Sequence, residues 1–244
     1  MKDSFLCFLQ SDLNIGLFEQ SCQLASVSLS TFLRTRKRVC VPRMDQALFE
    51  KAVGQMEKVL REDPRQQKHA EEAFPRDFLY TRQVINWVSK LTSSPSESLL
   101  LAAWGHVIYR WNIPRDKDLQ KYPMTTGGYH KWRRALAVLS AEETEKILKD
   151  AGYENALCQK VKDLILKTNF PTDPDSQVLE DADCLAFLEL KFDEYLPAWD
   201  EEKYVRILKG TLEKMTKKAR ELALAIPYSP EAKQLLQKAI KKDL

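Results

Sequence analysis

The run Leu99-Leu100-Leu101-Ala102-Ala103-Trp104-Gly105-His106-Val107-Ile108-Tyr109 is the most apolar helical stretch this chain can form, and an imidazole lies within it. A helix that is apolar nearly all round has no solvent face, so it belongs at the centre of its domain with other helices packed around it. A polar ring buried there costs roughly 1–3 kcal/mol unless it meets a partner. Arg110 follows His106 by one turn, on the same face. Gly105 costs about 1 kcal/mol relative to alanine and brings backbone close to whatever packs beside it. Pro114 disfavours helix in the residue before it, so the spacing predicts an end near Ile113.

A second apolar stretch, Val178 to Leu188, carries carboxylates that could meet the histidine. Asp181 shares a stripe with Val178, Leu185, Leu188 and Phe192, whereas Asp183 lies about 200° further round with Phe187 and Leu190. At least one of the two therefore faces the core. A His–carboxylate pair can orient a general base, hold a metal or form a buried structural hydrogen bond. For the pair alone, the buried structural hydrogen bond is the leading reading.

The rest of the chain reads as helices. It has 244 residues, only seven of them glycine, and is rich in Leu, Ala, Lys and Glu. At 44% hydrophobic and 30% charged it is expected to be soluble and able to bury a sizeable core. A helix opens after Met44 with Phe49, Ala52, Val53, Met56 and Leu60 on one face, and Arg61 to Arg76 reads as a polar loop. Further helices are predicted over Phe78–Leu91, from the Ser94-Pro95-Ser96-Glu97 start, from a capping box at Ser140 to Gly152, and over Cys158–Lys167. Others run from Asp173-Pro174 to Leu196, over Tyr204–Ile226, and from Ser229 onward. No alternating strand pattern is evident. Residues 1–43, serine-rich and ending in Arg34-Thr35-Arg36-Lys37-Arg38, read as a poorly ordered extension. A mitochondrial presequence is the competing reading, opposed by Asp3, Asp12 and Glu19. The domain is expected over residues 44–226, with a short helix in 227–244.

Some classes are disfavoured. The five cysteines are scattered without metal-finger spacing, which suits reduced thiols and a cytoplasmic setting. No apolar run approaches the ~20 residues that span a bilayer, so no membrane partner is expected. A net charge of +3 does not by itself imply nucleic acid. The lysine-rich end, Lys214, Lys217, Lys218, Arg220, Lys238, Lys241 and Lys242, could still give weak contact with RNA.

Arginines and aromatics crowd the loop after the central helix: Arg110-Trp111, Arg115, Tyr122, Tyr129, His130 and Trp132-Arg133. Guanidinium groups beside rings suit clamping a phosphate and stacking a planar group. The bland alternative is that the tryptophans anchor the core while the arginines snorkel outward.

The runs Arg110-Trp111-x-Ile113-Pro114-Arg115, Tyr122-Pro123-Met124, Gly128-Tyr129-x-x-Trp132-Arg133 and Leu179-Glu180-Asp181-x-x-Cys184-Leu185-x-Phe187-Leu188 resemble the domain-of-unknown-function family 4202. That resemblance spans about residues 45–226 and implies no established reaction. More distantly, the His106 helix and Asp181-Ala182-Asp183 are similar to the motifs of HD-domain phosphohydrolases. This implies an all-α, HD-domain-like bundle of about seven to nine helices and a divalent metal held by His106 and Asp181. Two of that pattern's four ligands are missing, with Tyr80 at the first His and Val107 at the doublet's Asp.

The expectation is a pocket for a phosphorylated or nucleotide-like small molecule. His106 with Asp181 or Asp183 would be catalytic, and Arg110, Arg115, Tyr122, Tyr129, His130 and Arg133 would bind ligand. Its enzymatic form would be a metal-dependent phosphohydrolase. The competing expectation is a noncatalytic helical interaction or RNA-contacting protein.

Overall fold

The computed structural model describes residues 44–69, 71–196 and 200–241, and the expectations for residues 1–43 lie outside them. Asp45 caps α1 (Gln46–Arg61), its carboxylate accepting from the amides of Ala47 and Leu48 at 3.0 and 3.3 Å. The predicted stripe Phe49, Ala52, Val53, Met56 and Leu60 is buried. The segment read as a loop instead holds an antiparallel hairpin, β1 (Gln66–His69) with β2 (Glu72–Pro75), in which Gln66 faces Pro75 and His69 faces Glu72. Both strands are largely exposed, so no apolar alternation marks them in the sequence. His69 is exposed at the hairpin's end.

After α2 (Arg76–Leu91), Ser96 caps α3 (Glu97–Gly105), accepting from the Leu99 amide at 3.0 Å. Then come α4 (Thr126–Ala151), α5 (Asn155–Leu166), α6 (Pro174–Leu190), the short α7 (Phe192–Tyr195), α8 (Glu201–Lys214), α9 (Lys217–Leu224) and α10 (Pro230–Lys241). The fold is all-α, with ten α-helices and one hairpin among the described residues. As its composition predicts, α3 is central: it packs against α1, α2, α4, α5 and α6, and Leu99, Leu101, Ala102 and Ala103 are fully buried. The terminal helix α10 lies on α8 and adds Ala232, Leu236 and Ala239 to the core. No helix among the described residues is long and apolar enough to cross a membrane.

Three boundaries differ from expectation, each because a polar side chain captures a backbone group. α3 stops at Gly105 rather than near Ile113, so His106 caps the helix end instead of sitting inside it. The hydroxyl of Thr144 donates to the Gly105 carbonyl at 3.2 Å, and that of Ser140 donates to the Ile108 carbonyl at 2.9 Å. Beyond this point the chain proceeds through tight turns, with Tyr109 in the left-handed region at φ 58°. Ser140 is accordingly no N-cap. It lies inside the 26-residue α4, which Thr125 caps by accepting from the Gly128 amide at 3.1 Å. The helix predicted over Tyr204–Ile226 breaks at Met215–Thr216, where the carboxylate of Asp181 accepts from the Thr216 amide at 2.9 Å and its hydroxyl at 2.6 Å. That break, with the stop of α6 at Leu190, raises the helix count above the expected seven to nine.

Gly105 is where α3 and α4 come closest: a methyl there would overlap the Thr144 side chain. Gly105→Ala must separate the helices or expel Thr144, and overpacking of this kind costs about 1–3 kcal/mol. A lowered urea midpoint in equilibrium unfolding is the expected result; an unchanged midpoint would show that α3 and α4 adjust freely.

Candidate functional site

A cavity of about 50 Å³ opens where the end of α3 meets α4, α5 and α6. Leu136 and Ala137 of α4, Ile165 of α5 and Leu179 of α6 form its apolar wall. Its polar groups are His106, Arg110, Arg133, Lys167 and Asp183.

His106 is oriented by its own helix. Nδ1 lies 2.8 Å from the Ala103 carbonyl, which can only accept, so Nδ1 carries a proton. Nε2 is therefore the atom whose protonation is free to change. It is buried, has no hydrogen-bond partner and stands 3.7 Å from Asp183 Oδ1. That is ion-pairing reach for an imidazolium but too long for a hydrogen bond.

Asp183 is held from two sides, by α2 and by the end of α5. Tyr80, on α2, points its hydroxyl at both Asp183 Oδ1 (2.8 Å) and the Asp183 carbonyl (2.9 Å). Lys167 Nζ stands 3.6 Å from Oδ2. Burial pushes the Asp183 carboxyl up, but Lys167, His106 and Arg133 outweigh it and hold the group ionised, well below the usual carboxylate range. For Tyr80, burial and then the Asp183 charge outweigh the opposing Arg110 and raise its hydroxyl well above the usual range, so it stays a donor.

Lys167 occupies an unusual backbone position. It ends α5 in the left-handed region at φ 56°, where glycine or asparagine is the easier residue. Its side chain reaches into the cavity wall and pairs with Glu180 as well as facing Asp183. Burial works against the Lys167 cation, but Asp183 and Glu180 prevail and raise its pKa.

Arg110 is committed elsewhere. Its Nη2 donates to Asp77 Oδ1 at 2.8 Å, while Arg65 donates to Asp77 Oδ2 at 2.6 Å. Asp63 in turn binds Arg65 at 2.8 Å and accepts from the Asp77 amide at 3.0 Å. Burial disfavours the Asp77 carboxylate, yet Arg110 and then Arg65 pull it down to about 2. Lys191 lies 4.1 Å above the Tyr80 ring, where burial and then the charge of Arg110 lower its amine to about 7. Arg133 differs from all of these. It is exposed at the cavity and makes no hydrogen bond or ion pair with the described residues.

Of the expected catalytic residues, the structure therefore joins His106 with Asp183 and not with Asp181. Asp181 is spent on Thr216 and on the side chain of Gln177, at 3.0 Å, and burial raises its pKa. Its metal role with His106 does not fit this placement. The described residues hold no group of three or more His, Cys, Asp or Glu side chains able to bind a metal ion. Among the expected ligand residues, Arg115 staples its own loop, donating to the carbonyls of Tyr122 (3.4 Å), Pro123 (2.5 Å) and Thr125 (3.0 Å). Tyr122 is buried. Tyr129 and His130 are exposed on the first turn of α4, in edge contact at 5.9 Å. The sequence reading missed Lys167 and Asp77 altogether. Lys167 carries no motif, and Asp77 reads as an ordinary acidic residue of a helix's first turn.

Residues 50–236 match the family described as Domain of unknown function (DUF4202). The chain belongs to that family. No curated protein and no solved structure matches it, so the HD-domain likeness has no counterpart among them. In this DUF4202 domain the runs that carry the family resemblance serve largely as framework. Arg110 secures Asp77, Arg115 ties the loop, and Trp132 Nε1 donates to the Ile113 carbonyl at 2.8 Å.

Two outcomes follow for the network of Asp63, Arg65, Asp77 and Arg110. Asp77→Ala leaves two arginines facing a vacated site and is expected to cost about 3–5 kcal/mol in chemical unfolding. Because Asp77 titrates at about 2 in the fold against 3.8 in its absence, its contribution is complete above pH 4 and lost as pH falls from 3.8 toward 2. The loss is on the order of 2 kcal/mol. Urea titrations across pH 2–6 should show this slope, reduced in Asp77→Asn.

Proposed function

We propose that this DUF4202 protein binds a phosphorylated small molecule in the His106 cavity. One observation carries the reading: Arg133 is unpaired at the cavity, and His106, which also lines it, has a buried Nε2 without a hydrogen-bond partner. Buried polar atoms are nearly always bonded, and an unpaired one facing a cavity is a place for a ligand atom. An imidazolium at His106, balanced by ionised Asp183, would present an N–H to a phosphoryl oxygen while Arg133 engages the others. Lys167 adds positive charge behind them.

Hydrolysis of that ligand is the second reading, favoured by the same nitrogen. With Nδ1 fixed on Ala103, Nε2 can take a proton from an attacking water or give one to a leaving oxygen, and Asp183 stabilises the imidazolium that forms. The side chains do not fit a divalent metal, because Asp183 is already engaged by Tyr80 and Lys167. The RNA reading is weakened by how the basic residues are used. Lys218 donates to the Leu91 carbonyl at 2.8 Å, Lys238 pairs with Glu201 at 2.7 Å, and Lys214 lies 3.5 Å from Glu180.

Titration calorimetry with ribose phosphate tests the proposal. Arg133→Ala should weaken binding tenfold or more, the scale of a charge-assisted hydrogen bond. Its unfolding midpoint should hold, because Arg133 is exposed and bonded to nothing described. Equal affinity in the variant, or no binding by the wild-type chain, would overturn it. For the second reading, released phosphate should fall to background in His106→Gln, while binding is weakened but kept through Arg133.

A further inference from the structure

The stripe of α4 that enters the cavity continues outward to an aromatic ring. Tyr129, Arg133 and Ala137 follow one another at i, i+4 and i+8, so Tyr129 stands about 6 Å along the helix from Arg133, on the same face. The residue is 42% exposed, although large aromatics usually bury themselves. It is also held in place. The Trp132 ring lies 5.9 Å away at 47°, and the Arg115 guanidinium lies 5.5 Å from the ring centre. Both supports are fixed in turn, Trp132 by the Ile113 carbonyl and Arg115 by three loop carbonyls. Gly128 completes the arrangement: a side chain there would overlap the Pro123 carbonyl, so its absence lets the loop close against the first turn of α4. Tyr129 is thus an ordered ring with an open part, one helical turn from the unpaired cation.

We propose that the bound ligand is a nucleoside monophosphate, its phosphate at Arg133 and His106 and its base stacked on Tyr129. This rests on the phosphate-binding reading above and names the ligand class for the same site. A cavity of about 50 Å³ has room for a single phosphoryl group. The gap of one turn between Arg133 and Tyr129 is one that a single pentose bridges. Stacking recognises the face of a base and not its edge, so every base is tolerated and the larger purines gain most.

Calorimetry with adenosine monophosphate, cytidine monophosphate and ribose phosphate separates the two claims. In the wild-type chain, adenosine monophosphate should bind at least tenfold more tightly than ribose phosphate, with cytidine monophosphate between them. Tyr129→Ala should bring that ratio close to one while leaving ribose phosphate unaffected, and Tyr129→Phe should restore it. Equal wild-type affinities for nucleotide and sugar phosphate would overturn the inference and leave the phosphate site standing. So would a Tyr129→Ala variant that weakens both alike. Failure of every phosphate ester to bind would overturn both. The wild-type ratio decides the matter even if a variant does not fold.

Discussion

Two hydroxyls on α4 decide where the central helix ends, and the site depends on that decision. Thr144 takes the Gly105 carbonyl and Ser140 takes the Ile108 carbonyl. A helix running on to Ile113 would have kept His106 wrapped by its own next turn. With the stop at Gly105, the imidazole closes the helix with one nitrogen on Ala103 and brings the other within 3.7 Å of Asp183. Gly105 is needed for the same reason, since only a missing side chain lets Thr144 come so near.

The charges around the cavity fall into two groups. Asp63, Arg65, Asp77 and Arg110 satisfy one another and fix the segment after α3 to the start of α2. A buried set of this kind is strongly destabilised by loss of one member, although it need not exceed a well-packed apolar core in stability. The second group is incomplete. Asp183 is ionised and held by Tyr80 and Lys167, yet His106 Nε2 and Arg133 remain without bonds to the described residues. Lys167 sharpens the contrast. A residue with a side chain occupies a left-handed position better suited to glycine, and its amine reaches Glu180 and Asp183.

The all-α class and the centrality of α3 were legible because each rests on local periodicity and composition. The pairing of helix ends was not, because it depends on long-range capture of backbone groups. Ser140 followed by Glu143 has the spacing of a capping box, yet in space its hydroxyl answers Ile108. Asp181 and Asp183 were both admissible partners for His106. The choice was made by Thr216, whose amide needs an acceptor at the start of α9 and takes Asp181. Arg115 looked like a ligand residue by composition, and only the loop's closure shows that three carbonyls occupy it.

What the site would accept follows from which of its groups are already bonded. A divalent cation at Asp183 would have to displace the Tyr80 hydroxyl from one oxygen and the Lys167 ammonium from beside the other. It would also lie near Arg133, whose charge opposes it. An anion meets the reverse situation. The guanidinium it would engage is unpaired, and protonated Nε2 would donate without breaking any existing bond. Asp183 would repel an anion on its own. Its charge is already met by Lys167, which stands 3.6 Å from Oδ2, and by His106 Nε2, 3.7 Å from Oδ1, so its repulsion of an anion is reduced.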